Sequence, residues 1–236
     1  MSATSSHAGA KSRTRAPYAV LFDLDGTLID SIALLIASME YAFDDREHRP
    51  PVAEWVAAIG TPLDAMLRRW AVSDADVAQL RARYREYQLE NHDAMTAAYP
   101  QAVEVVRALY DAGYPLAIVT SKLEAGARRS LAHIGIEDCF SAVVGIDATT
   151  RHKPQPEPVW HALGRLGVPR ERALFVGDST HDMHAGNAAG VVTAAALWGP
   201  FSRAQLETAQ PQHWLTGMHE VTPLAGTLAM ADVVFR

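Results

Sequence analysis

Asp23-Leu24-Asp25-Gly26-Thr27-Leu28-Ile29-Asp30-Ser31 is the stretch that decides the fold. It follows directly on the apolar run Tyr18-Ala19-Val20-Leu21-Phe22, which reads as a strand. A strand that ends in acids is costly unless those acids meet a cation or carry out chemistry, because a buried unpaired carboxylate is strongly disfavoured. Residues two apart on a strand point to the same side. Asp23 and Asp25 therefore converge on one site, while Leu24 turns back into the core. Gly26 permits a tight turn, and Thr27 supplies a hydroxyl for a nearby hydrogen bond. Two isolated acids would be read as a strand end with an Asx-type turn. Three segments further along the chain complete a site and displace that reading.

Four more short apolar runs read as buried strands, over 115–120, 140–146, 173–177 and 191–197. Helical patterns alternate with them. Val105 and Leu109 mark a helix over 101–112 that stops at Gly113; a second, over 123–134, ends at Gly135; a third, over 158–166, ends at Gly167. Strands alternating with helices predict an α/β fold: a Rossmann-like parallel sheet in a three-layer αβα core.

One interval breaks the alternation. About ninety residues separate the first strand from the second, far more than a simple crossover needs. Residues 33–97 contain no convincing strand. Ile32, Leu35, Ile36 and Met39 mark one amphipathic helix. Ser73-Asp74-Ala75-Asp76 resembles a capping box ahead of a helical stretch over 77–90. The charges on that stretch, Arg81, Arg83, Arg85, Glu86 and Glu90, read as a solvated face. The expected organisation is a flexible tail over 1–16, a catalytic core over 17–32 and 98–236, and a small α-helical cap inserted over 33–97.

The chain has 236 residues, 49% of them hydrophobic, which is ample for a sizeable core. A net charge of −6 without a Lys/Arg block argues against nucleic acid as a partner. The single cysteine, Cys139, excludes an intramolecular disulfide and sits beside Phe140 in an apolar stretch, where packing is its expected role. The basic, acid-free tail lacks the apolar segment of a secretory signal, and a transit peptide is the alternative reading of it. No run reaches the roughly 18 apolar residues of a membrane span. These features fit a cytoplasmic protein that acts away from membranes.

Sites in open α/β sheets form beyond the carboxyl ends of the strands, and each candidate residue falls at such an end. The second strand runs into Thr120-Ser121-Lys122, where a hydroxyl and free backbone amides can hold phosphate oxygens; Lys122 is expected to face solvent. The third segment is Lys153-Pro154-Gln155-Pro156-Glu157-Pro158, whose prolines stiffen the backbone and give Lys153 a fixed aim. Glu157 reads as a first-turn acid beside a helix dipole. The fourth segment is Gly177-Asp178-Ser179-Thr180-His181-Asp182, again acid after strand with a second acid four residues on. His181 and His184 could share a helix face, but an oxygen-dominated cluster argues against zinc. His152 either modulates the site or covers it.

Asp-Leu-Asp-Gly-Thr-Leu at 23–28 resembles the first motif of the haloacid dehalogenase superfamily in its phosphatase branch, and the likeness runs from about Tyr18 to the end of the chain. Thr120, Lys153 and the pair Asp178/Asp182 resemble the second, third and fourth motifs. Many close relatives carry Asn where this chain has Ser121. The resemblance implies that Asp23 is the nucleophile and Asp25 the general acid/base. It implies an aspartyl-phosphate that water later hydrolyses. Lys153 would hold both the phosphate and the Asp23 carboxylate, with Thr120 and Ser121 on the phosphate. Mg2+ would be bound by Asp23, Asp25 through its backbone carbonyl, and Asp178, with Asp182 as a water-mediated partner that also holds Lys153.

A helical insert at this place is typical of members that act on small soluble phosphates. The chain is similar to phosphoglycolate phosphatases and to the inorganic pyrophosphatases of the superfamily; Asn91-His92-Asp93 looks more like the latter, or is a polar hinge. Gly60-Thr61-Pro62 reads either as a cap loop that meets substrate through Gly60 and Thr61 or as a plain helix start. Arg68 and Arg69 stand within two turns of it, solvent-exposed by default or on a second anionic group. Competing readings are a dehalogenase, against which Asp25 and the Asp178/Asp182 pair count, a phosphosugar mutase, and a non-catalytic phosphate-binding protein.

Overall fold

The computed structural model describes residues 18–231, so the tail over 1–16 lies outside the described residues. Six parallel strands form the central sheet: β1 (Ala19–Phe22), β4 (Leu116–Val119), β5 (Ala142–Val144), β6 (Ala173–Gly177), β7 (Val192–Ala196) and β8 (His213–Leu215). Their order is β5-β4-β1-β6-β7-β8, with β1 at the centre. Parallel strands buried on both faces read as continuous apolar runs, and β1, β4 and β6 are buried at every residue.

Helices α5 (Ala102–Asp111), α6 (Glu124–His133) and α10 (Val221–Ala231) cover one face through Val106, Leu109, Leu131 and Val221. On the other face lie α7 (Glu157–Leu166) and α8 (Thr180–Ala189), packed through Val159, Leu163 and Ala185. The short α9 (Arg203–Glu207) precedes β8. This is the expected three-layer α/β core. The expected strands are trimmed by one or two residues at their ends, except 173–177, which agrees. β8 was not foreseen: it is a three-residue edge strand, and only Leu215 of it is fully buried.

The insert between β1 and β4 is helical: α1 (Ile32–Ala42), α2 (Val52–Ala57), α3 (Leu63–Arg68) and α4 (Asp74–Asn91). It has its own core of Met39, Phe43, Trp55, Leu67, Leu80 and Tyr84. The buried face of α1 runs through Leu34, Ser38, Met39 and Ala42, so Leu34 stands inside where Ile36 was expected. Ser73 caps α4 by accepting from the Asp76 N–H. The box is half-formed, because the Asp76 carboxylate turns away to Arg46 and the Val72 N–H. Where the insert joins the core, β2 (Ile29–Asp30) pairs antiparallel with β3 (Ala97–Ala98). Residues 33–97 thus do hold a strand residue, Ala97, in a ribbon too short to show a pattern of alternation.

Candidate active site

Asp23 leaves the end of β1 with its N–H still in the ladder, donating to the Val176 carbonyl at 2.9 Å. The chain then turns sharply at Gly26, which has φ +87° and no room for a Cβ against the Asp178 carboxylate. That turn brings the Thr27 hydroxyl onto Asp178, donating to Oδ1 at 2.7 Å. β6 delivers Asp178 next door, and Ser179 starts α8 with a full capping box closed by Asp182.

Lys153 is buried, and its ammonium donates to Asp23 Oδ1 at 2.8 Å, Asp182 Oδ1 at 2.6 Å and the Val119 carbonyl at 3.0 Å. An ammonium has three donors, so no N–H of Lys153 is left over in this arrangement. Asp182 is equally engaged: its Oδ2 accepts from the Ser179 N–H at 3.0 Å and hydroxyl at 2.5 Å. Glu157 opens α7 and braces the loop before Lys153 by accepting from the Thr150 N–H and Arg151.

Three buried carboxylates surround one lysine, and the balance shows in their protonation. Burial, reinforced by the charge of Asp182, outweighs Lys153 and lifts Asp23 to about 7. Burial and the charges of Asp23 and Asp182 hold Asp178 well above the usual carboxylate range. Burial alone would lower Lys153, but Asp182 and Asp23 more than reverse it and keep the ammonium charged. The cluster therefore lacks positive charge. One oxygen each from Asp23, Asp178 and Asp182 lie within 4.8 Å of one another. Asp178 Oδ2 is buried with no hydrogen-bond partner. An orphaned carboxylate oxygen in an all-oxygen donor set fits a hard divalent cation. No histidine belongs to this cluster among the described residues, which argues against zinc.

Asp25 sits apart from the cluster. It accepts from Ser31 Oγ at 2.5 Å and from Lys122 Nζ at 2.7 Å. Lys122 was expected in solvent, yet its side chain is only 13% exposed. It turns inward because Asp25 offers a carboxylate within reach of a strand-end lysine. This is the functional residue that the sequence reading missed.

A cavity of about 620 Å³ lies between insert and core, and Asp23, Asp25, Thr120, Ser121, Lys122, Lys153, Gly60 and Thr61 all line it. Ser121 does not stand free for a ligand: its hydroxyl donates to the Gly60 carbonyl at 2.6 Å, tying the insert to the core. The Thr61 hydroxyl donates to the Ala58 carbonyl at 2.7 Å, the bond of a local turn. Arg68 and Arg69 do not line the cavity and pair with Asp74 and Glu54 on the surface. His152 does line it. His92, at the end of the insert, bonds to Asp93 at 2.6 Å and to Ser130 of α6 at 2.8 Å, and it lines the cavity too.

Residues 20–196 match the family model described as haloacid dehalogenase-like hydrolase. The chain is 34% identical over 206 residues to pyrophosphatase PpaX of Listeria monocytogenes, covering 86% of this chain and 93% of that one. It is 36% identical over 212 residues to pyrophosphatase PpaX of Bacillus velezensis, covering 88% and 96%. A haloacid dehalogenase-like family hydrolase from Streptococcus pneumoniae superposes with a TM-score of 0.77 at 25% identity, over 88% of this chain and 98% of the other. A predicted phosphoglycolate phosphatase from Haemophilus somnus shares the fold with a TM-score of 0.80 at 24% identity, over 89% and 99%.

Proposed function

This chain belongs to the haloacid dehalogenase-like hydrolases, and on that premise we propose that it is a magnesium-dependent phosphohydrolase of small soluble phosphates, working through an aspartyl-phosphate on Asp23. The observation that carries the reading is the Lys153 ammonium held between Asp23 and Asp182, with the unpartnered oxygen of Asp178 in the same buried cluster, and with Asp23 and Lys153 lining one cavity.

Asp23 is the nucleophile. Lys153 takes its Oδ1, which orients the carboxylate and leaves Oδ2 for phosphorus. A bond forms from Asp23 oxygen to phosphorus as the bond to the leaving oxygen breaks, and Asp25 gives that oxygen a proton. Asp25 then takes a proton from water as the water attacks phosphorus, which releases inorganic phosphate and restores Asp23. Ser31 and Lys122 fix the Asp25 carboxylate for both transfers. The Thr120 hydroxyl, whose oxygen accepts from the Lys122 N–H at 3.2 Å, and the Ser121 N–H hold the phosphate oxygens. Lys153 acts on the phosphate through its charge, since its N–H groups are taken. Asp23, Asp178 and the backbone carbonyl of Asp25 would hold Mg2+, which supplies charge neutralisation for the phosphate. Asp182 serves by holding Lys153.

The relatives named pyrophosphatase bring pyrophosphate forward as a substrate, and phosphoglycolate stands beside it as a small phosphate of the same reach. The test is phosphate release from both, with Mg2+ present or chelated, for the native protein and Asp23→Asn. Release that needs Mg2+ and vanishes in the folded variant supports the reading. Asn at 23 with near-native turnover would overturn it.

A further inference from the structure

The floor of the cavity performs the same chemistry whatever leaves; the walls decide what leaves. Part of those walls is apolar. Leu35, Pro62 and Leu63 from the insert, with Leu123 and Ile146 from the core, line the same cavity as Asp23 and Asp25, and all five are only half-buried. They are apolar surface that the fold has not covered. Behind them the buried rings of Trp55 and Tyr84 pack 6.0 Å apart and line the cavity as well. A volume of about 620 Å³ falls in the range of sites for ligands of some twenty or more heavy atoms, roughly 300–1,000 Å³.

Five cations line the cavity, and four of them are already paired. Lys153 is held by Asp23 and Asp182. Lys122 is held by Asp25, Arg81 by Asp64 at 2.5 Å and Arg129 by Asp93 at 3.1 Å. Arg85, exposed on the same face of α4 as Arg81, is the one cavity-lining cation without a carboxylate partner among the described residues. A pyrophosphate would bring its second phosphate, a multiply charged leaving group, into a cavity where Arg85 alone of the five cations has no carboxylate partner among the described residues. Desolvating an unpaired anion there is expensive. An uncharged leaving group meets the same wall with a gain.

We propose that the cavity selects phosphomonoesters of uncharged alcohols with an apolar body, seated on Leu35, Leu63, Leu123 and Ile146. This rests on the phosphohydrolase reading above and names its leaving group. The wall reads the length of the body, and Arg85 offers the unpaired charge of the cavity to a polar atom on a longer substrate.

The experiment compares n-alkyl phosphates of two, four, six and eight carbons, whose leaving alcohols have like acidity, with pyrophosphate and phosphoglycolate. In parallel, calorimetry measures binding of the n-alkylphosphonates of the same lengths in Mg2+, which needs no turnover. Burial of one methylene is worth about 0.8 kcal/mol, or about fourfold. Partial burial predicts at least a tenfold rise in kcat/KM and in phosphonate affinity between two and six carbons, with hexyl phosphate ahead of pyrophosphate. Leu63→Ala is expected to cost more with octyl than with ethyl phosphate, flattening the series. Length-dependent phosphonate binding without turnover of any phosphate would sink the phosphohydrolase reading and leave the apolar wall standing. Phosphate release with no dependence on length, or with pyrophosphate the better substrate, would overturn the wall alone. Flat phosphonate affinities would do the same.

Discussion

Lys122 Nζ lies 2.7 Å from Asp25 Oδ1, so the end of β4 reaches across to the acid that follows β1. With the Ser31 hydroxyl 2.5 Å from the same oxygen, the carboxylate is gripped at one atom from two sides. In the proposed mechanism its Oδ2 is the atom left for proton transfer. Lys122→Met should keep the fold, since the side chain runs along the cavity wall rather than through the core. It should lower kcat by about tenfold to a hundredfold, a part of the roughly 10²–10⁴ that a positioned acid/base contributes. Lys122→Arg should restore some of that, because a guanidinium can still reach a carboxylate. Steady-state kinetics on one substrate checks the order native, Arg, Met; equal losses in both variants would deny the lysine its orienting role.

Asp23 should make the stability of the protein depend on pH in an unusual direction for a carboxylate. Its native value of about 7 lies above the ordinary 3.8 because burial and Asp182 outweigh Lys153. Between those two values the native state holds a proton that the unfolded chain has released. Stability then falls as pH rises. The contribution is full below about 4 and lost as pH passes 7, and Asp178, raised for the same cause, acts with the same sign. In chelator the melting temperature should therefore drop between pH 5 and pH 8. Saturating Mg2+ favours the charged carboxylates and should remove most of the drop. A melting temperature that rises over that range in chelator would contradict the burial of the cluster.

Asp23, Asp25 and Asp178 were legible in the sequence because each is an acid just past an apolar strand, where charge needs a reason, and Lys153 because it stands on a proline-stiffened loop. The fold was legible for a related cause: strands buried on both faces are continuous runs, and glycines stop the helices at Gly113, Gly135 and Gly167. Lys122 was not legible. A lysine two residues past a strand shows no direction until its partner is placed, and Asp25 is 97 positions away. The seat of Ser121 was hidden for the same reason, since its hydroxyl bonds a carbonyl 61 positions away that only the tertiary fold supplies. β8 was hidden because His213-Trp214-Leu215 is too short and too mixed to show a pattern. The apolar wall was hidden because Leu35 reads as one face of an amphipathic helix, and nothing in one dimension sets Leu63, Leu123 and Ile146 around the same cavity.

Asp178 should set the Mg2+ requirement, and Thr27 should tune it. The Thr27 hydroxyl holds Asp178 Oδ1 and aims Oδ2, the oxygen with no other partner. Partners that orient a ligand are worth about 10- to 100-fold in metal affinity or activity. Thr27→Val keeps the shape of this buried residue and removes only the donor. It should raise the half-saturating Mg2+ by about tenfold, while Asp178→Ala should raise it further or abolish turnover. A titration of Mg2+ against initial rate reads both. An unchanged half-saturation in Thr27→Val would mean that Oδ1 needs no anchor.

Closure of the insert over the core should depend on Gly60, which is held from two sides. Its carbonyl accepts from Ser121 Oγ at 2.6 Å. Its backbone has φ +96°, and a Cβ there would stand 3.3 Å from the Ser179 hydroxyl. Ser121→Ala removes one neutral hydrogen bond, worth about 1 kcal/mol, and should raise KM about fivefold with little change in kcat. Gly60→Ala forces a side chain into the left-handed region, at a cost of roughly 1–3 kcal/mol, and pushes the turn off Ser179. It should lower kcat/KM by tenfold or more. Both act on one contact between insert and core, so the double variant should lose less than the product of the single losses. Full multiplication of the two effects would show that the glycine turn and the serine act on separate steps.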